Sequence, residues 1–184
     1  SANMNNRLSE AIVEAYKSTN GAPISFELML KCYQSRMKDA NNDDSISSVL
    51  KQLVNAHIFE SEDKVSLIDD SYIIKMDGYP KDGPIAKAIV YFLMSKLNNI
   101  YELLDKQAVN DEVVQIRHFS IIDEAHYMLD FDNRPLRNLI AVGRNKGLSI
   151  ILATQNMSSF KSKGFDFYAN AQYPLIMKQQ TIDD

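Results

Sequence analysis

"SIIDEAH", residues 120–126, sets Ile121 and Ile122 directly against two adjacent acids, Asp123 and Glu124. A strand that buries its isoleucines and then places two carboxylates in succession has two readings. It delivers the acids to a metal and water site at its end, or it meets solvent and turns. The surrounding chain bears on the choice. Downstream, "LSIILATQ" (148–155) is a second apolar run that also ends in polar residues, Thr154 and Gln155. A helical segment over about 134–146 separates the two. Upstream, "SYIIKMDGYP" (71–80) is an apolar run closed by turn residues. "DGPIAKAIVYFLMSKLNNIYELLDK" (82–106) then puts Ile85, Ile89, Phe92, Leu93, Leu97, Ile100, Tyr101 and Leu104 on one broad helical face. After a loop rich in Ser, Lys and Gly, "YPLIMKQQ" (173–180) supplies a fourth strand. Strands that alternate with helices, several of them continuously apolar, predict an α/β domain over 71–184. Its parallel sheet carries helices on its faces.

Residues 1–70 follow a different grammar. Segments 7–18, 25–38 and 44–56 have helical periodicity, clearest in Ile46, Val49, Leu50, Leu53 and Val54. Asp43, Asp44 and Ser45 precede that third helix as cap and first-turn residues. "HIFESEDKVSLI" (57–68) gives two short apolar strands about a polar turn. Three helices and a hairpin make a winged-helix-like segment. DNA-reading versions carry basic side chains on the third helix. This one offers only Lys51 within an acidic segment, which favours a structural or protein-contacting role.

The 184 residues are 45% hydrophobic and 24% charged, the balance of an ordinary globular protein with enough chain for a core. No apolar run is long enough to span a bilayer and no signal peptide opens the sequence, so a cytoplasmic protein is expected. The single Cys32 has no intramolecular disulfide partner. "SAN" before Met4 reads as a vector scar, which would make the chain a fragment. The net charge of −4 gives no global attraction to nucleic acid. Its distribution is uneven. Residues 1–70 hold eleven acids against seven bases, whereas 134–163 hold six bases (Arg134, Arg137, Arg144, Lys146, Lys161, Lys163) and no acid. Such a window marks a face for phosphate, an acidic partner or another subunit.

In an open parallel sheet, ligands collect beyond the carboxyl ends of the strands, where Asp123 and Glu124 lie. One acid there can hold magnesium through its water shell and the next can polarise an attacking water. That is the Walker B arrangement of P-loop ATPases, although apolar residues followed by "DE" are also common by chance. A neighbouring parallel strand would set Thr154 and Gln155 beside Glu124, where Gln155 could orient water or sense a γ-phosphate. In "AVGRNKG" (141–147), Gly143 and Gly147 flank Arg144 and Lys146. An arginine at this helix-to-strand corner suits either a finger reaching a neighbour's phosphate or a helix C-terminus that favours cations.

Together, "FSIIDEAHYML", "LRNLIAVGRNKGLSIILATQ" and "SYIIKMDGYPKDGPIAKAIVYFLMSKL" resemble the HerA/FtsK superfamily of P-loop ATPases, over about 71–184. That superfamily includes DNA translocases and the motors of conjugation and type IV secretion. The resemblance implies a RecA-like sheet, ATP and Mg2+ as cofactors, DNA as the partner and a homo-oligomeric, hexameric ring. It implies that Asp123 supports the metal, Glu124 activates water, Thr154 and Gln155 meet the nucleotide as sensor residues, and Arg144 acts on the adjacent subunit. Among members, the DNA phosphorothioation-dependent restriction ATPases are a group the chain resembles, which implies a role in DNA restriction. Lys161 and Lys163, in "MSSFKSKGFD" (157–166), are candidates to face DNA in the ring's pore or to be plain solvated surface.

One departure from the superfamily is large. A phosphate cradle needs G-x-x-x-x-G-K-[ST], and none of the six glycines is followed by Lys-Ser or Lys-Thr. The chain is therefore expected to be the carboxyl-side portion of a longer ATPase domain, or else a degenerate relative that binds no nucleotide. The rival function is a non-catalytic protein-interaction module, and an intact P-loop upstream in the reading frame would decide against it. His126 has no second His or Cys at ligand spacing, so packing or coupling is its expected role. His57 and His118 flank strands and read as structural. In the superfamily's sheet order, 72–77, 118–123 and 148–155 should pair in parallel. The outer edge of 148–155 should be covered by 174–179 or by a neighbouring molecule.

Overall fold

A computed structural model describes residues 2–39, 41–58, 66–155, 157–162 and 165–177. The chain divides into two compact units: Ser1–Lys64 with Gly83–Ile85, and Val65–Asp82 with Ala86–Asp184.

The first unit is helical: α1 (Ala2–Ser18), α2 (Phe26–Gln34) and α3 (Ser45–Asn55). Each of the last two begins at a side chain that accepts from otherwise unpaired N–H groups. Ser25 caps α2 by accepting from Leu28 N at 3.1 Å. Asp44 caps α3 through Oδ1, which accepts from Ile46 N at 3.1 Å and Ser47 N at 2.9 Å. Ser47 Oγ returns the contact by accepting from Asp44 N at 2.9 Å. The other carboxylate oxygen of Asp44 accepts from Tyr33 Oη at 2.6 Å and Arg7 Nη1 at 3.2 Å, so one acid ties all three helices. Ala11, Ala15, Tyr33, Leu50 and Leu53 are buried between them. The three expected helices are thus present. Most of the expected hairpin, 59–65, lies outside the described residues. The single base of the third helix, Lys51, is held by Asp43 at 2.7 Å.

The second unit is mixed α/β. Helix α4 (Pro84–Leu103) is followed by a small hairpin, β1 (Val109–Asn110) and β2 (Val113–Val114). Its two turn residues, Asp111 and Glu112, both have positive φ, the primed turn that matches strand twist. Strand β3 (His118–Ile122) leads through a short helix α5 (His126–Leu129) to α6 (Arg134–Val142). A 3-10 turn, Arg144–Lys146, then enters β4 (Leu148–Leu152). A last hairpin pairs β5 (Lys161–Ser162) with β6 (Phe165–Asp166).

β3 and β4 pair in parallel, His118 opposite Leu148 through Ile122 opposite Leu152. The expected parallel pairing of 118–123 with 148–155 is therefore present as a five-residue ladder. Side chains of Ile122, Leu148, Ile150 and Leu152 enter two apolar clusters. Leu136 and Leu139 of α6 and Leu97 and Tyr101 of α4 close over them. Full burial of such leucines stabilises by about 1.5–3 kcal/mol each. Two glycines make the α6–β4 corner possible. A Cβ on Gly143 would lie 2.5 Å from Leu139 O, and Gly147 has φ +81 with Gln115 O at 2.7 Å from its Cβ position.

Two expected strands are not strands. Residues 71–76 are irregular, and Tyr72, Ile73 and Ile74 are 46, 89 and 52% exposed. Residues 174–177 are likewise irregular, with Leu175 89% exposed. An apolar triplet has the composition of a buried strand without its period, and only backbone partners decide it. Among the described residues the parallel sheet has two strands, β3 and β4, and no strand pairs with the far edge of β4. The expectation that 174–179 covers that edge is not met by 174–177; residues 178–179 lie outside the described residues.

Candidate functional site at the carboxyl end of the parallel pair

The ladder continues past the two strands through two backbone bonds. Ala153 N donates to Ile122 O at 2.9 Å, and Ala125 N donates to Ala153 O at 2.8 Å. To bring Ala125 N back to β4, the chain turns at Glu124, whose φ is +50. For a residue with a Cβ this conformation costs about 1–2 kcal/mol, and it aims the side chain across the strand ends. Asp123 Oδ1 accepts from Glu124 N at 2.9 Å and thereby braces the turn.

Gln155 and His126 then converge on Glu124. Gln155 Nε2 donates to Glu124 Oε1 at 2.9 Å. His126 Nδ1 lies 3.3 Å from Glu124 Oε2 and 3.4 Å from Thr154 Oγ1. With its proton on Nδ1, the imidazole donates toward the carboxylate. Tyr127 packs its ring 4.1 Å from that imidazole, and Lys81 Nζ sits 5.6 Å from the Tyr127 ring centre. Glu124 and Gln155 therefore touch, Thr154 is linked to them through His126, and Asp123 adjoins through the Glu124 N–H. His126 joins them as a coupling residue between Glu124 and Thr154.

The other candidates lie elsewhere. Arg144 is exposed on the 3-10 turn before β4, about 20 Å along the strand direction from Ala153. The Gln172 amide oxygen, turned to its guanidinium, accepts from Arg144 Nη1 at 2.6 Å. Within one chain Arg144 is no part of the carboxyl-end cluster. Lys161 is exposed on β5, and Lys163 lies outside the described residues. Three more bases of the one-sign window are engaged locally. Lys146 Nζ donates to Tyr101 O at 2.6 Å and Glu102 O at 2.8 Å, closing the end of α4. Arg134 and Arg137 both pair with Asp132, which lies just outside the window.

Of the other histidines, His118 stacks on Tyr101 with ring centres 6.2 Å apart. Burial holds its imidazole below the ordinary histidine range and pushes the Tyr101 phenol up. His118 is half-buried at the start of β3 and Tyr101 is buried on α4, both away from the acids. Among the described residues no group of three or more His, Cys, Asp or Glu side chains could enclose a metal ion. Asp123 is exposed, with one carboxylate oxygen accepting from Glu124 N. No helix of the described residues is long and apolar enough to cross a membrane. Compared with known protein families, curated proteins and solved structures, the chain matches none.

Proposed function

We propose that this chain is the Walker B and sensor portion of an ATP-driven motor of the HerA/FtsK type that moves or remodels DNA, within DNA restriction. The observation that carries the reading is the Gln155–Glu124 hydrogen bond, 2.9 Å, at the carboxyl ends of two adjacent parallel strands. A glutamate held there by an amide is positioned to accept a proton from an attacking water while the amide orients it. Asp123, one residue earlier and open to solvent, would hold the magnesium ion of bound ATP. That ion supplies charge neutralisation on the phosphates. Thr154, through His126, ties the second strand end to the same glutamate. The phosphate-binding loop is absent from these 184 residues and must come from another segment. Arg144 would act on a neighbouring subunit of a ring, most simply a hexamer, in the cytoplasm.

The experiment uses Glu124→Gln in a protein that joins this chain to a P-loop. Nucleotide binding should persist while hydrolysis falls about 10²–10⁴-fold. The 184-residue chain alone should show no turnover above background, because its transition-state charge has no cradle. Unchanged hydrolysis in Glu124→Gln would overturn the assignment. Turnover by the isolated chain that disappears in Glu124→Gln would overturn the need for a separate P-loop.

A further inference from the structure

The β3–β4 pair is covered on one face only. Ile122, Ile150 and Leu152 enter the core, whereas Phe119, Ile121 and Ile151 on the other face are 55, 69 and 44% exposed. Parallel strands are ordinarily covered on both faces. The same unit carries a second unpartnered apolar feature. Tyr173, Leu175, Ile176 and Met177 are 87, 89, 63 and 84% exposed in an irregular stretch, and no charged residue lies between Ala171 and Met177. Both exposures hold in one molecule, so the segment does not lie on its own sheet. Its root is fixed, because Phe167 is buried in the core cluster.

We propose that Tyr173–Met177 of one copy lies over the open β3–β4 face of a second copy, and the reverse, giving a two-fold homodimer. The segment is uncharged and the middle of the face is apolar, with the exposed Arg117 and Asp123 at its two ends, so a central seat desolvates no ion. Seating the segment on each of the two faces removes on the order of 1,000 Å2 from solvent, the lower end of what a specific interface needs. Tyr72–Ile74 is the other exposed apolar stretch, but it is tethered on both sides. Leu67 and Ile68 pack on the core before it, and α4 follows it. The proposal is independent of the ATPase reading.

Light scattering after size exclusion, on the 184-residue chain at micromolar concentration, tests it. The expected mass is twice that of one chain. Leu175→Asp combined with Ile176→Asp, and separately Ile121→Asp, should each weaken the dimer roughly tenfold or more. Mixing these two variants leaves one intact seat, so heterodimers should return at intermediate strength. Ile151→Ser provides a second face variant if Ile121→Asp loses its circular-dichroism signal. A monomer throughout, a dimer indifferent to the segment variant, or a mixture that stays monomeric would each overturn the proposal.

Discussion

Gly147→Ala is the sharpest perturbation of the frame that brings Gln155 to Glu124. Gly147 sits at φ +81, where an alanine loses about 1–2 kcal/mol to its own backbone. The added Cβ would also stand 2.7 Å from Gln115 O and 3.0 Å from Arg117 N, and both neighbours are backbone rather than a side-chain end that can swing away. Relieving that contact means moving the entry to β3 or to β4, because Gly147 O accepts from both Arg117 N and His118 N. The combined loss should reach about 2–4 kcal/mol, read as a fall in the urea midpoint with an unchanged slope. Gly78→Ala is the internal control. Nothing lies within 4 Å of its Cβ position and its φ is not in the left-handed range, so it should change stability by less than about 0.5 kcal/mol. Equal effects from the two substitutions would refute the account of the α6–β4 corner.

In the helical unit, Asp44→Ala removes the α3 cap and leaves the Tyr33 hydroxyl without its acceptor, so unfolding should become easier by about 2 kcal/mol. Burial raises the Asp44 carboxyl, but the Ser47 and Ile46 N–H groups, Tyr33 and Arg7 together bring it below the ordinary carboxylate range. Its contribution is thus complete above that range and is lost as pH falls through the lowered value. Acid titrations of stability in the native chain and in Asp44→Asn, which still caps but does not ionise, should diverge below about pH 4. Parallel curves would remove the charge from this account. Lys146→Met should fray the end of α4, seen as faster amide exchange at the last turn of that helix and a loss of about 1 kcal/mol. Unaltered exchange there would show that the two carbonyl contacts carry no stability.

The parts of the fold visible in the sequence are those set by local period. The spacing of Ile46, Leu50 and Leu53 fixes a buried helix face, and Leu50 and Leu53 are buried. "FSII" and "LSIIL" are strands because each meets the other along a continuous ladder. "SYII" has a similar composition and is exposed, and among the described residues no strand pairs with it. The β1–β2 hairpin escaped sequence reasoning for a different reason. Its turn puts Asp111 and Glu112 at positive φ, positions where asparagine and glycine are the usual signal. The one-sign window was legible as charge but not as function, because Asp132 and the α4 carbonyls that engage half of its bases lie outside it in sequence.

The carboxyl-end cluster was legible because its geometry follows from register. In parallel neighbours that start together, residues at equal distance beyond the last paired position arrive side by side, so Ile122 opposite Leu152 carries Glu124 to the end of β4. The strained turn at Glu124 was not legible, and it is the part that converts proximity into contact. With φ at +50 the chain doubles back far enough for Ala125 N to reach Ala153 O, and the Glu124 carboxylate is left facing Gln155 and His126. A one-residue slip of β4 would exchange Ile150 and Ile151 between core and solvent. It would also separate Gln155 from Glu124, so the burial that fixes the sheet and the hydrogen bond that marks the site are held by a single register.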